Sequence, residues 1–223
     1  MNVALLIQRQ SMLLFLPDRD APVTCPIPTT VIHDLEVLNE AELETLMGKI
    51  MPPQALKSQT QAILLLDDTI CFTYRLEPAK EEEMKKTLLN DVPFLHVAST
   101  TISSGAESIF VTTNQDLYES VARALEAKKY SVIGVYPWAS LQYLQIVKAG
   151  EAFSAATTKR LFDATATLRP VAFPYKHEVN VDVLPVTVTK SPERARSKKG
   201  WVIFISIALL YIVVMLIIVV LRR

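Results

Sequence analysis

Glycine is scarce in this chain. Five occur in 223 residues, Gly48, Gly105, Gly134, Gly150 and Gly200, and no two lie close together. A phosphate-cradling loop needs clustered glycines so that backbone N–H groups can approach the phosphate without a side-chain clash. Neither GxGxxG nor GxxxxGK[ST] can be written here, which argues against a nucleotide-hydrolysing enzyme. Cysteine is scarcer still. Cys25 and Cys71 stand alone in apolar segments, so there is no disulfide framework, and they read as buried free thiols in a reducing compartment. The three histidines, His33, His96 and His177, are far apart and have no metal-ligand spacing with the cysteines. No cofactor and no metal is expected.

Net charge is also lacking, but only in the sum. The chain has 23 basic and 23 acidic residues. Residues 1–189 hold 16 basic and 22 acidic residues, while 190–199 hold five basic and one acidic. Arg222 and Arg223 complete the balance. An acidic folded part lacks the basic stripe that a nucleic-acid binder needs. No nucleic-acid partner is expected.

What the chain has in abundance is one long apolar run. Trp201–Leu221 is 21 residues without a charge. At about 1.5 Å per residue, such a helix spans roughly 30 Å, the thickness of a bilayer core. In lipid the backbone must satisfy its own hydrogen bonds, so a helix is expected despite the many β-branched residues. Trp201 falls at the upstream membrane interface, where an indole is favoured. Lys190, Arg194, Arg196, Lys198 and Lys199 precede the run, and only two arginines follow it. The positive-inside rule then places the upstream domain in the cytoplasm on a single-pass anchor. The five basic residues are positioned for anionic lipid headgroups, at about 1 kcal/mol each. The first 17 residues offer no secretion signal, because Gln8, Arg9 and Gln10 interrupt their apolar stretches.

The soluble part alternates hairpins and helices. Val3–Ile7 and Met12–Leu16 read as a hairpin, with a short edge strand at Val23–Ile27 between prolines. Asn39 caps a helix over about 40–50. Ala62–Leu66 and Thr69–Leu76 read as a second hairpin around Asp67-Asp68. A helix follows Pro78, with Glu81/Lys85 and Glu82/Lys86 as i,i+4 pairs and Met84, Leu88 and Leu89 as its apolar side. His96–Ile102 and Ser108–Thr112 make a further hairpin. Asn114 caps a helix that buries Leu117, Val121, Ala124 and Leu125. Ser131–Tyr136 is a strand. Pro137 opens a helix with Trp138, Leu141, Leu144 and Val147 inward, ended by Gly150.

The expected fold class is α/β, with α+β as the alternative. The expected organisation is a cytoplasmic domain over 1–150 and a linker with a strand-like docking segment over 151–189. A basic stretch over 190–200, a membrane helix over 201–221 and a two-residue tail complete the chain. Asp67-Asp68 is the one tempting carboxylate pair. Adjacent residues in a strand face opposite ways, and in a tight turn they serve the backbone. No base, metal-ligand histidine or phosphate loop accompanies them. The run Ser99–Ser104 lacks a nucleophile elbow and reads as strand and turn. Glu81-Glu82-Glu83 reads as a solvated first helical turn.

From residue 62 to 145 the order of features resembles the actin-like cytoplasmic proteins of bacterial type IV pilus and type II secretion machines, PilM and the cytoplasmic part of GspL. AILLLDDTICFTYRLEP resembles their apolar hairpin and Pro-initiated helix. EEEMKKTLLNDVPF is similar to the helix before their small inserted subdomain. SIFVTTNQDLYESVARALEAKKYSVIGVYPWASLQYL resembles the strand, capped helix, strand and next helix of that subdomain. The resemblance implies a partial, degenerate actin-like (ribonuclease H-like) domain. The family's opening Asp-x-Gly turn is Gln8-Arg9-Gln10-Ser11 here, so no nucleotide-site residue carries over. EVNVDVLPVTVTKSPERARSKKGW resembles the start of PilN, the membrane partner of PilM, whose Asn-Leu-Leu-Pro motif docks as an extended strand. Asn180, Val183, Leu184 and Pro185 occupy comparable places, with two extra residues after the Asn. They would dock either on another protein or on this domain.

The resemblance implies a non-enzymatic, membrane-anchored scaffold of a pilus or secretion platform at the bacterial inner membrane. Its partners would be the lipid bilayer and platform proteins, including actin-like and PilO-like components, with homo-oligomerisation left open. A generic tail-anchored adaptor is the alternative. A membrane-bound hydrolase using Asp67 or Asp68 is the third reading.

Overall fold

The computed structural model describes residues 2–175, apart from 20, 53–59, 106, 149–150 and 152. The main sheet opens with β1 (Asn2–Ile7) and β2 (Ser11–Phe15), an antiparallel hairpin that pairs Ala4 with Phe15 and Ile7 with Met12. β3 (Val23–Pro26) pairs antiparallel with β2 and ends the sheet on that side. Its flanking prolines cannot donate to a further strand, so an edge is where it fits. A two-residue hairpin follows, β4 (Ile32–His33) and β5 (Glu36–Val37). Asn39 then caps α1 (Glu40–Ile50) by accepting from the Glu42 N–H at 3.1 Å, and Leu43, Met47 and Ile50 face inward.

β6 (Thr60–Leu66) lies at the heart of the sheet, parallel to β1. Its apolar run is buried on both faces, as a central parallel strand requires. It is not half of a hairpin with the following strand. β7 (Phe72–Leu76) joins a separate antiparallel sheet with β8 (Val97–Ser104) and β9 (Glu107–Asn114), in the order β7-β9-β8. The physical reason is pattern: Ala62–Leu66 is continuously apolar, whereas β7 alternates half-buried and exposed positions. The hairpin expected near residues 96–112 does form, as β8 against β9.

A 3₁₀ turn at Pro78–Lys80 leads into α2 (Glu81–Asp91), which lies between β7 and β8 in sequence. It buries no residue fully. Met84 and Leu88 are half-buried and Leu89 is exposed, so its apolar side is weaker than the periodicity suggested. Lys85 pairs with Glu81 at 2.5 Å and also takes Glu82 at 3.7 Å. Leu76, Val92 and Phe110 are buried apart from the main core, and the Phe72 and Phe94 rings meet at 5.8 Å.

Asn114 caps α3 (Gln115–Ala127), whose inner stripe includes Leu117, Val121, Ala124 and Leu125. β10 (Tyr130–Pro137) then returns to the main sheet, parallel to β6, and gives the order β10-β6-β1-β2-β3. Of the stretch likened to an inserted subdomain, only β9 belongs to the small sheet. α4 (Trp138–Tyr143) is shorter than expected. Gln145, at φ 56°, makes the left-handed turn after it, and Leu141 and Val147 are buried. Gly150 lies outside the described residues.

The folded unit does not end at 150. Ser154 caps α5 (Ala155–Asp163), and α6 (Thr165–Leu168) and a 3₁₀ turn at Arg169–Val171 follow. Leu161, Leu168, Val171 and Phe173 belong to the same core as β1 and β6. Residues 155–173 therefore correct the expected linker. Its alanine- and threonine-rich sequence hides a helix whose buried positions are few but spaced for one face.

Candidate functional site

In open sheets with parallel strands, ligands bind beyond the carboxyl ends of those strands. Here the ends of β1 and β6 bring the Gln8–Ser11 turn beside Asp67–Thr69. Gln8 Nε2 donates to Asp67 Oδ2 at 3.3 Å, and Ser11 Oγ donates to Gln8 Oε1 at 2.8 Å. The Arg9 N–H donates to Thr69 Oγ1 at 3.2 Å. The Asp67 N–H continues the sheet by donating to the Ile7 carbonyl at 3.0 Å. Asp67 Oδ1 accepts from the Thr69 N–H at 2.9 Å, the Asx turn that an aspartate offers its own backbone.

The small β4–β5 hairpin is tied to this corner. Asp34 accepts from Arg9 Nη2 at 3.2 Å and lies 3.4 Å from His33 Nδ1. Asp34 and Leu35 have φ of 47° and 67°, as a two-residue hairpin loop demands. A bulky leucine in that region is strained. Burial of Leu35 and the 2.8 Å bond from Asn114 Nδ2 to its carbonyl hold it there.

The corner is therefore a lock between two turns. Both oxygens of Asp67 accept from groups within the corner. Asp68 is exposed, yet partial burial of its carboxyl, then the Asp67 charge, raise its pKa. Among the described residues, the Asp67 carboxylate bonds the Gln8 side chain and the Thr69 N–H, neither of them a base or a nucleophile. Cys71, close by, is a poor nucleophile because burial, with the Asp68 charge adding, pushes its thiol far up. The exposed His96–Asp116 contact, 2.9 Å from Nδ1, joins the start of α3 to the residue before β8. Among the described residues no group of three His, Cys, Asp or Glu could hold a metal ion.

Sheet edges offer a second kind of site. β10 ends the main sheet, and its outer side is met by the last described residues. The Phe173 N–H donates to the Val135 carbonyl at 2.8 Å. Tyr118 Oη donates to the Pro174 carbonyl at 2.7 Å, and the Tyr118 ring stacks on Phe173 at 6.0 Å. Tyr175 Oη donates to Glu126 Oε1 at 2.8 Å. Burial, first of all, pushes the Tyr118 and Tyr175 phenols far above their ordinary value, so both remain donors. Sequence reasoning missed this strap. Its signal was the alternation of Phe173 and Tyr175 around Pro174.

Asn180, Val183, Leu184 and Pro185 lie outside the described residues, as do Lys190, Arg194, Arg196, Lys198, Lys199 and Trp201. Among the described residues no helix is long and apolar enough to cross a membrane. Trp201–Leu221 is not among them.

No protein-family model matches this sequence, and no curated protein matches it. Solved structures do match. One is a PilM–PilN type IV pilus biogenesis complex, at 13% identity and a TM-score of 0.41, covering 60% of this chain and 46% of that one. Another is the cytoplasmic domain of EpsL, an inner-membrane component of the type II secretion system of Vibrio cholerae. It has 13% identity and a TM-score of 0.36, covering 61% of this chain and 56% of that one. A third is a Bacteroides thetaiotaomicron protein with an actin-like ATPase fold and unknown function, at 10% identity and a TM-score of 0.38, covering 65% of this chain and 55% of that one. The chain spans about half the length of these chains. These neighbours are of the PilM-like and actin-like kind that the sequence resembles. The likeness is partial and concerns architecture, and neither activity nor partners travel with it. The PilN-like part lies at residues that the structure does not describe.

Proposed function

We propose that this chain is a non-enzymatic, membrane-anchored scaffold of a type IV pilus or type II secretion-like platform at the bacterial inner membrane. The order of its parts carries this reading. An acidic α/β unit is followed by the valine-alternating segment 178–188, a basic stretch and a charge-free run of 21 residues. The α/β unit would sit at the cytoplasmic face. The basic stretch would bind anionic headgroups, and Asn180, Val183, Leu184 and Pro185 would add as a strand to a platform partner. The locked corner at Gln8 and Asp67 supports a role other than nucleotide hydrolysis, since its turns hold no glycine and its side chains bond one another.

The test is affinity purification of the detergent-solubilised, N-terminally tagged chain, with mass spectrometry of what accompanies it. Recovery of pilus or secretion platform proteins, lost in Leu184→Asp, is expected. Recovery of none, while a control platform protein brings down its partners, would leave a tail-anchored adaptor. A C-terminal reporter found in the cytoplasm would overturn the orientation.

A further inference from the structure

The two larger sheets have their edges at β3, β10, β7 and β8. Proteins guard such edges with proline, charge or a covering segment, because bare backbone pairs with other strands. β3 is short, follows Pro22 and ends in Pro26. Phe173 bonds the outer side of β10. β7 carries the exposed Arg75. β8 has none of these guards. Its eight residues, VASTTISS, hold no charge and no proline, and Val, Thr and Ile favour a strand.

The register shows which backbone groups of β8 face outward. Val97 lies opposite Asn114, so the pair before it is His96 and Gln115, and the Gln115 N–H donates to the His96 carbonyl at 2.9 Å. In an antiparallel ladder bonded pairs alternate with unbonded ones. Ala98, Thr100, Ile102 and Ser104 therefore spend their N–H and C=O groups on β9. Val97, Ser99, Thr101 and Ser103 turn theirs away from it. Among the described residues these backbone groups meet no other backbone group. Side chains alternate with the same period. Ala98, Thr100 and Ile102 are buried, which fixes the strand on the core, whereas Val97, Ser99 and Thr101 are half-buried and Ser103 is exposed.

We propose that β8 pairs with β8 of a second copy of this chain, antiparallel, about a two-fold axis at Thr100. A two-fold axis makes every contact occur twice. With the axis there, Val97 faces Ser103 of the second copy and Ser99 faces its Thr101, and the same pairs recur on the far side. All four outward residues find bonded partners, about eight hydrogen bonds in all. No charge meets its like, and Ser99 beside Thr101 is a hydroxyl pair of the kind that favours cross-strand contact. The same operation on β7 would bring Arg75 of each copy within one diagonal step of the other, where like charges oppose pairing. A second copy also supplies a strand of matching length, phase and lack of charge. The two three-stranded sheets become one. The inference does not rest on the platform reading, because it concerns the folded unit alone.

Sedimentation of the detergent-solubilised full chain across micromolar concentrations tests it, together with hydrogen–deuterium exchange. A monomer–dimer equilibrium is expected. On dimerisation the amides of Val97, Ser99, Thr101 and Ser103 should slow by at least about tenfold, while those of Ala98, Thr100 and Ile102 are protected in both states. Ser99→Lys with Thr101→Lys sets like charges opposite each other beside the axis and should weaken association by at least about tenfold. Ser99→Lys with Thr101→Glu sets opposite charges there and should recover most of the loss. A monomer at every concentration would overturn the proposal, as would a dimer that the lysine pair leaves intact, since the contact would then lie elsewhere in the chain. Equal loss in both double variants would overturn the register and the proposal with it. If circular dichroism shows that the lysine pair has not folded, the exchange pattern of the unaltered chain decides, and a dimer whose outward amides do not slow refutes the pairing. Dimerisation through β8 with no platform protein recovered would count against the platform and not against the pairing.

Discussion

Leu161 and Phe173 lie in the stretch that composition marked as linker, yet they are 0% and 2% exposed. Leu161→Ala removes a side chain from the main core, a change that destabilises by about 2–5 kcal/mol. Phe173→Ala removes a ring stacked on Tyr118 and should destabilise by about 3–5 kcal/mol. The exposed Thr167 is the control, and Thr167→Ala should stay within about 0.5 kcal/mol of the unaltered chain. Urea unfolding followed by near-ultraviolet circular dichroism reads the effect. With a slope of about 2 kcal/mol per molar, a loss of 3 kcal/mol lowers the midpoint by about 1.5 M. An unchanged slope would show that the native state has kept its compactness. If Leu161→Ala and Phe173→Ala both behave like Thr167→Ala, residues 155–173 are not part of the core. The folded unit would then stop short of α5, and the strap on β10 would contribute nothing to it.

Three further outcomes are expected. A Cβ on Gly134 would lie 2.3 Å from Tyr136 Oη and 2.5 Å from Cζ, and that ring is 2% exposed, so Gly134→Ala should destabilise by about 1–3 kcal/mol. A double-mutant cycle should show most of this loss vanishing against Tyr136→Ala but not against Tyr136→Phe, which keeps the ring carbon. Asn114→Ala removes both the α3 cap and the donor to the buried Leu35 carbonyl, for a combined loss of about 2–3 kcal/mol by thermal unfolding, whereas a loss below about 0.5 kcal/mol would refute that double role. By NMR titration Asp68 should keep its proton to higher pH than an ordinary aspartate, and Asp67→Asn should move it part of the way back. Its folded pKa is raised, so Asp68 contributes stability fully present below the unfolded value and lost as pH rises through the folded one. Asp68→Asn should accordingly be slightly stabilising at neutral pH and not in acid.

Sequence alone determined the features that depend on near neighbours along the chain. Asn39 and Asn114 cap helices because an Asx side chain reaches an N–H two or three residues on, and both caps are present. The β1–β2 and β8–β9 hairpins follow from apolar segments joined by short turns. The absence of glycine from the Gln8–Ser11 turn was legible at once, and so was the charge-free run Trp201–Leu221. What only the tertiary structure decided was pairing at a distance. The apolar pattern of Ala62–Leu66 marks a buried strand but does not say that β1 and β10, rather than β7, lie beside it. The Asp67 corner needed Gln8, 59 residues away, to become a lock. Residues 155–173 looked like linker because Ala and Thr carry little apolar signal, and their inward face has meaning only once a core exists to receive Leu161. Hydrogen-bond partners and buried area are properties of two segments together, and neither can be read from one of them.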